Sequence, residues 1–207
     1  MNCSTDPKVN QKARNIRKMT STAMLGAAAA ILMFLEIPLP GLMPAFIKFD
    51  FSDLPALIAA FTFGPLSGIV VCAVKNLVHL PFSQSMGIGE LSNFLMGTAF
   101  ILPAGLIYKR VKTRTAAILS ALGGAMLMAA ASVPINLFLI YPMYERFVGF
   151  PIPVVVGMYK AILPAASTLL KCLLIFNLPF TFIKGLASVF ITLLVYKKLA
   201  PVLRGKC

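Results

Sequence analysis

Apolar runs of near-spanning length alternate along this chain with short breaks rich in proline, glycine or charge. Their length and spacing predict helices at about residues 19–37, 53–63, 66–80, 90–108, 115–144 and 171–196. Residues 49–80, FDFSDLPALIAAFTFGPLSGIVVCAVKNLVHL, organise the rest. Asp50 and Asp53 stand in an apolar setting, Gly64-Pro65 separates two apolar runs, and the second run carries Lys75, Asn76 and His79 where hydrocarbon is expected. The run at 53–63 rises only about 16 Å as a helix, too little to cross a bilayer upright. Either residues 49–52 extend it or it ends part-way through the membrane.

The polar positions inside the runs fall on faces. Lys75 and His79 are spaced i,i+4, with Asn76 beside them, so one face of that helix is wet or paired. Glu90 and Asn93, spaced i,i+3, open the fourth run, where Glu90 also favours a helix N-terminus. Asn136 follows Pro134, which together with Gly123-Gly124 can bend the long fifth run. Asn177, Thr181 and Lys184 form one stripe on the sixth. A lysine near mid-span costs a few kcal/mol unless it meets a carboxylate, a hydrogen-bonding cavity or a ligand. Each cluster is open to a structural reading as internal polar packing and to a functional one as ligand contact. In the first run Ala23 and Ala27 lie one turn apart, a small-residue face that suits either packing inside the bundle or docking to a separate membrane partner. Residues 145–167 are apolar but broken by proline and glycine, and are expected to lie along the membrane surface or to cap the bundle.

Composition turns these runs into membrane helices. Of the 207 residues, 59% are hydrophobic and 12% charged, with a mean hydropathy of +0.89. The expected fold is all-α: an integral membrane protein with six transmembrane helices in one compact bundle over residues 19–196. Basic segments at 1–18 and 197–207 flank it. The first run is long enough to span, so it reads as an uncleaved helix rather than a signal peptide. The net charge of +13 does not imply nucleic acid, because most basic residues gather in residues 1–18, the turn KRVKTRT at 109–115, and the C-terminal tail. They read as topology determinants that place both termini in the cytoplasm, with some attraction to anionic lipid. The four cysteines, Cys3, Cys72, Cys172 and Cys207, are scattered and read as free thiols without a disulfide or metal role.

This topology puts the segments 38–52, 81–89 and 145–167 outside. Glu90, Asn93, Asn136 and Lys184 then reach similar depth on three helices, which predicts a small-molecule pocket open to the exterior, its walls drawn from 16 Phe and 5 Tyr. No phosphate-binding loop, zinc-protease motif or nucleophile elbow is present, so an enzyme is not expected. The absence of a clear internal repeat favours a partner ATPase over an ion-coupled carrier.

FDFSDLPALIAAFTFGPLSG, VKNLVHL, GIGELSNFLMG, PINLFLIYPMY and PFTFIKG, in this order, resemble the riboflavin-specific substrate-binding subunits of energy-coupling factor (ECF) transporters. The resemblance covers nearly all of the membrane portion. It implies six membrane helices, capture of riboflavin from outside as transported ligand rather than cofactor, and delivery through a transmembrane coupling subunit and two ATPase subunits at the cell membrane. It further implies that Ala23 and Ala27 contact the coupling subunit, and that Asn136 and Lys184 contact the ligand. Thr181 stands where the family pattern F-N-L-I-K-G has asparagine; a hydroxyl donates and accepts, but lacks an amide's paired donor and acceptor. The expected ligand set is therefore Asn136, Thr181 and Lys184, with Glu90 and Asn93 at the rim or orienting the helices. Three other readings stay open at this point: a subunit for another vitamin such as thiamine or a pyridoxine-like ring, a small carrier with Lys75, His79 and Glu90 as proton relay, and an assembly factor with no ligand.

Overall fold

The computed structural model describes residues 7–44 and 46–204. Cys3, Cys207 and Lys206 lie outside the described residues, as do the outermost parts of both basic segments. Helix α1 (Pro7–Phe34) runs without interruption from the basic segment into the apolar run. A two-stranded antiparallel hairpin follows, β1 (Ile37–Pro38) with β2 (Lys48–Phe49), Ile37 opposite Phe49. Next come α2 (Asp53–Phe63), α3 (Pro65–His79), α4 (Ile88–Arg110) and α5 (Arg114–Ile135). The fifth helix continues through a π turn (Asn136–Ile140), α6 (Tyr141–Met143) and a second π turn (Tyr144–Val148). After α7 (Ile152–Ile162) and α8 (Leu169–Cys172), a third π turn (Leu173–Asn177) leads into α9 (Leu178–Arg204).

Local chemistry sets the breaks. Gly64 has φ of 101°, a conformation open to glycine at no steric cost, and Pro65 opens α3 where a missing N–H costs nothing. Thr113 accepts from the Ala116 N–H at 3.1 Å and so caps α5.

Among the described residues, four helical stretches are long and apolar enough to cross a membrane: Pro65–Phe82, Ile88–Arg110, Arg114–Val148 and Leu169–Tyr196. This is four of the six spans expected, and α2, with 11 residues, is too short for the same test. The first apolar run ends as helix at Phe34 rather than at Ile37, because Ile37 pairs into the hairpin. Residues 49–52 do not extend α2; they form β2 and a turn. The fifth helix, in contrast, reaches Val148 and takes the start of the expected 145–167 segment with it.

Short α2 sits at the centre. It packs against α1, α3, α4 and α9, and eight of its residues are buried, which explains why it is apolar all round. Its N-terminal end is buried at Ser52 and Asp53, so the backbone groups there do not face lipid. The remaining long helices close around it by approach of small residues. A Cβ on Gly124 of α5 would lie 2.5 Å from the Phe100 carbonyl oxygen of α4, and one on Gly185 of α9 would lie 2.8 Å from Ala125 of α5. Gly124 therefore serves packing, and the pair does not bend the helix: α5 stays α-helical through it, and the irregularity comes after Pro134 as a π turn. A second, smaller core beside this one is built on α7, where Val155 and Tyr159 are fully buried with Tyr141, Cys172 and Leu173. The α7 segment thus packs into the bundle.

Candidate functional site

Between the two cores lies a cavity of about 650 Å³. Its walls come from the end of α1, the β1–β2 hairpin, the α3–α4 connection, the π-turned part of the fifth helix and the start of α9. All five residues expected at the ligand, Asn136, Thr181, Lys184, Glu90 and Asn93, line it. Phe34, Phe46, Tyr141, Tyr144, Phe150 and Phe180 supply aromatic surface. The volume lies within the range of pockets for drug-sized ligands, about 300–1,000 Å³.

Lys184 reaches this cavity from α9 and is 8% exposed. Its Nζ lies 2.7 Å from Oδ2 of Asp50, which precedes α2. Asp50 in turn accepts from the Ser52 N–H at 2.9 Å and from the Ser52 hydroxyl. Lys75 of α3 donates to the Ser52 hydroxyl and to Asp53 Oδ1, each at 2.6 Å. One buried network therefore joins α9, the turn before α2, the N-terminus of α2 and α3. Burial opposes the charge on Asp50, yet the Lys184 and Lys75 ammonium groups and the Ser52 hydroxyl hold its carboxyl below the usual carboxylate range. Lys75 and Lys184 thus each have a carboxylate, which meets the cost of placing a lysine at membrane depth.

A second network joins the hairpin segment, α3 and α4. His79 Nδ1 is 2.8 Å from Glu90 Oε1, and its Nε2 is 3.8 Å from Glu36 Oε1. Lys48 of the hairpin donates to Glu36. Glu90 also accepts from Ser83 at 2.7 Å. The two hydroxyls around it, Ser83 and Ser85, accept from the backbone N–H groups of Gly87 and Gly89, both at 2.9 Å, at the start of α4. The expected grouping of Lys75 with His79 and Glu90 is corrected here. Although Lys75 and His79 sit one turn apart, Lys75 turns to Asp53 while His79 bonds Glu90, so the trio does not form a relay.

Asn136 donates its amide N–H to the Ser132 carbonyl at 2.8 Å and lines the cavity. At the far wall, Tyr159 of α7 donates to Asn177 Oδ1 and pairs with the Tyr141 hydroxyl at 3.2 Å. Asn177 and Tyr141 both line the cavity. Ala23 and Ala27 are remote from it: both are exposed on α1, on the outer face of the bundle. Among the described cysteines, Cys72 and Cys172 are buried free thiols, and the described residues contain no cluster of three or more metal-binding side chains.

Asp50, Glu36 and Lys48 are the site residues that the sequence reading did not assign. A signal for Asp50 existed. The chain has only six acidic residues, and a buried lysine needs one of them.

Comparison with known proteins identifies the family. Residues 17–196 match the family model described as ECF transporter, substrate-specific component. The chain is 34% identical over 190 residues to the riboflavin transporter FmnP of Bacillus subtilis, covering 90% of this chain and 93% of that protein. It is 32% identical to the riboflavin transporter RibU of Staphylococcus aureus, covering 91% and 93% of the two chains. A solved S component of a bacterial ECF transporter superposes with a TM-score of 0.71 at 31% identity, covering 91% of this chain and 98% of that one. These relatives are membrane transport components, not enzymes. The chain belongs to the family of substrate-specific components of ECF transporters.

Proposed function

We propose that this chain binds riboflavin from the exterior and delivers it as the substrate-specific subunit of an ECF-type importer. The observation that carries the reading is the cavity itself, aromatic-walled and met by Asn136, Thr181 and Lys184 from two different helices. The riboflavin transporters that the chain resembles over nine-tenths of its length support the choice of ligand. The tricyclic ring lies among Tyr and Phe side chains, which favour flat π surfaces. Asn136 accepts from it, Thr181 donates and accepts, and Lys184 donates while staying paired to Asp50. Glu90 and Asn93 hold the rim. The exposed Ala23–Ala27 face of α1 lets a transmembrane coupling subunit approach closely, and two ATPases bound to that subunit supply the energy. Six membrane crossings over residues 19–196, with both basic ends in the cytoplasm of a multi-pass cell-membrane protein, orient the cavity outward.

Titration of the purified protein with riboflavin tests this: flavin fluorescence is quenched without ATP, and protein purified from rich medium is yellow. Absence of quenching at micromolar protein refutes the assignment. Competition by thiamine or pyridoxine at equal concentration would move the ligand to another vitamin.

A further inference from the structure

Six side chains of the Asp, Glu, Lys and His types line the cavity: Glu36, Lys48, Asp50, His79, Glu90 and Lys184. Each basic side chain among them already faces a carboxylate. Lys184 is paired with Asp50, Lys48 with Glu36, and His79 with Glu90. The start of α4, which also borders the cavity, is occupied as well. Its Gly87 and Gly89 N–H groups donate to Ser83 and Ser85, and Glu90 places a carboxylate beside them. An incoming phosphate would therefore find three carboxylates and no uncommitted ammonium. It carries about −1.5 to −2 charges near neutral pH, and to enter it would have to break an existing pair.

The pairs differ in what breaking them entails. Lys184–Asp50 is buried and tied through Ser52 to Lys75, whereas Lys48–Glu36 is the most exposed of the ion pairs, with side chains 34% and 23% accessible. Lys48 belongs to β2 and Glu36 immediately precedes β1, so this pair sits on the hairpin side of the cavity wall. We propose that Glu36, by holding Lys48, is a specificity-determining residue that bars phosphorylated ligands from the cavity. The ligand selected is the uncharged vitamin, and its phosphomonoester is refused. Selection acts here by withholding a partner charge rather than by adding a contact to the accepted ligand.

This inference rests on riboflavin capture, and the experiment separates the two. The detergent-purified full chain is titrated with riboflavin and, in parallel, with flavin mononucleotide, both read by fluorescence quenching. The expected wild-type result is riboflavin binding at least roughly tenfold tighter than the phosphate ester. Glu36→Gln, which frees Lys48, narrows that ratio by about three- to tenfold, while Lys48→Met, which leaves Glu36 uncompensated, widens it by a similar amount. Opposite shifts in the ratio are a signature that a merely structural role for the pair would not produce. Equal binding of the two flavins by the wild type, or a ratio that Glu36→Gln and Lys48→Met leave unmoved or shift in the same direction, overturns the proposal while riboflavin capture stands. Failure of riboflavin itself to bind overturns both.

Discussion

Lys184 and Asp50 meet at 2.7 Å across 134 positions of sequence, joining the last membrane helix to the turn that precedes the central one. Both are buried, and both line the cavity. The pair therefore fixes the geometry of the ligand site and the packing of α2 with one contact. Removing one partner leaves the other charged and buried without compensation, a loss of about 3–5 kcal/mol. Lys184→Met and Asp50→Asn are each expected to lower the thermal unfolding midpoint in detergent markedly. The double variant is expected to be less destabilised than the sum of the two. Strict additivity would show that the two groups are not coupled.

Thr181 lines the cavity, at the position where the resemblance drawn from the sequence implies an amide. Thr181→Val removes the hydroxyl and keeps the shape, so riboflavin affinity should fall about three- to tenfold, the worth of one hydrogen bond of ~1 kcal/mol. Thr181→Asn supplies an amide and should bind at least as tightly as the wild type. An unchanged dissociation constant for Thr181→Val would take this side chain out of the ligand set.

On α1, Ala23 and Ala27 are exposed while Leu25, Ala29 and Met33 face the core. Substituting Ala23 or Ala27 with Phe fills the small face without touching the cavity. Uptake by cells supplying the coupling module should drop toward background, and flavin binding by the purified protein should change by less than about twofold. Equal loss of binding and uptake would point to misfolding instead of lost docking.

Two adjacent glycines in α5 give a paired test of packing. A side chain at Gly124 would collide with the Phe100 carbonyl, whereas nothing lies within 4 Å of a Cβ at Gly123. Gly124→Val should destabilise the fold by about 1–3 kcal/mol through overpacking. Gly123→Ala should fall within about 0.5 kcal/mol of the wild type. Comparable effects at the two positions would contradict the close α4–α5 approach.

The sequence made some of this legible because hydrophobic periodicity and proline–glycine punctuation act locally. The break at Gly64-Pro65, the shortness of α2 and the shared cavity of Asn136, Thr181, Lys184, Glu90 and Asn93 all followed from spacing and depth. The partner of Lys184 did not, because which carboxylate it meets depends on how the turn at residues 49–52 folds back against α9. The hairpin was hidden for a related reason: two residues per strand carry too little pattern to register. Buried Tyr159 lay in a segment whose prolines and glycine masked an ordinary helix, and its hydrogen bond to Asn177 is made only after α7 packs.

The π turn at Asn136–Ile140 gives the fifth helix an extra residue within one turn, and that insertion resets its phase. Asn136 and Tyr141, five positions apart, consequently point at one cavity, with Tyr144 continuing the same wall. In a regular helix each residue advances the face by about 100°. Deleting a single residue from this stretch would leave the composition almost untouched, yet would swing both tyrosines away from the chamber and strand the hydroxyl of Tyr159 without its Tyr141 neighbour. The vitamin's berth is thus written partly in a count of residues, and a one-codon deletion here should abolish flavin capture while a conservative swap at the same position need not.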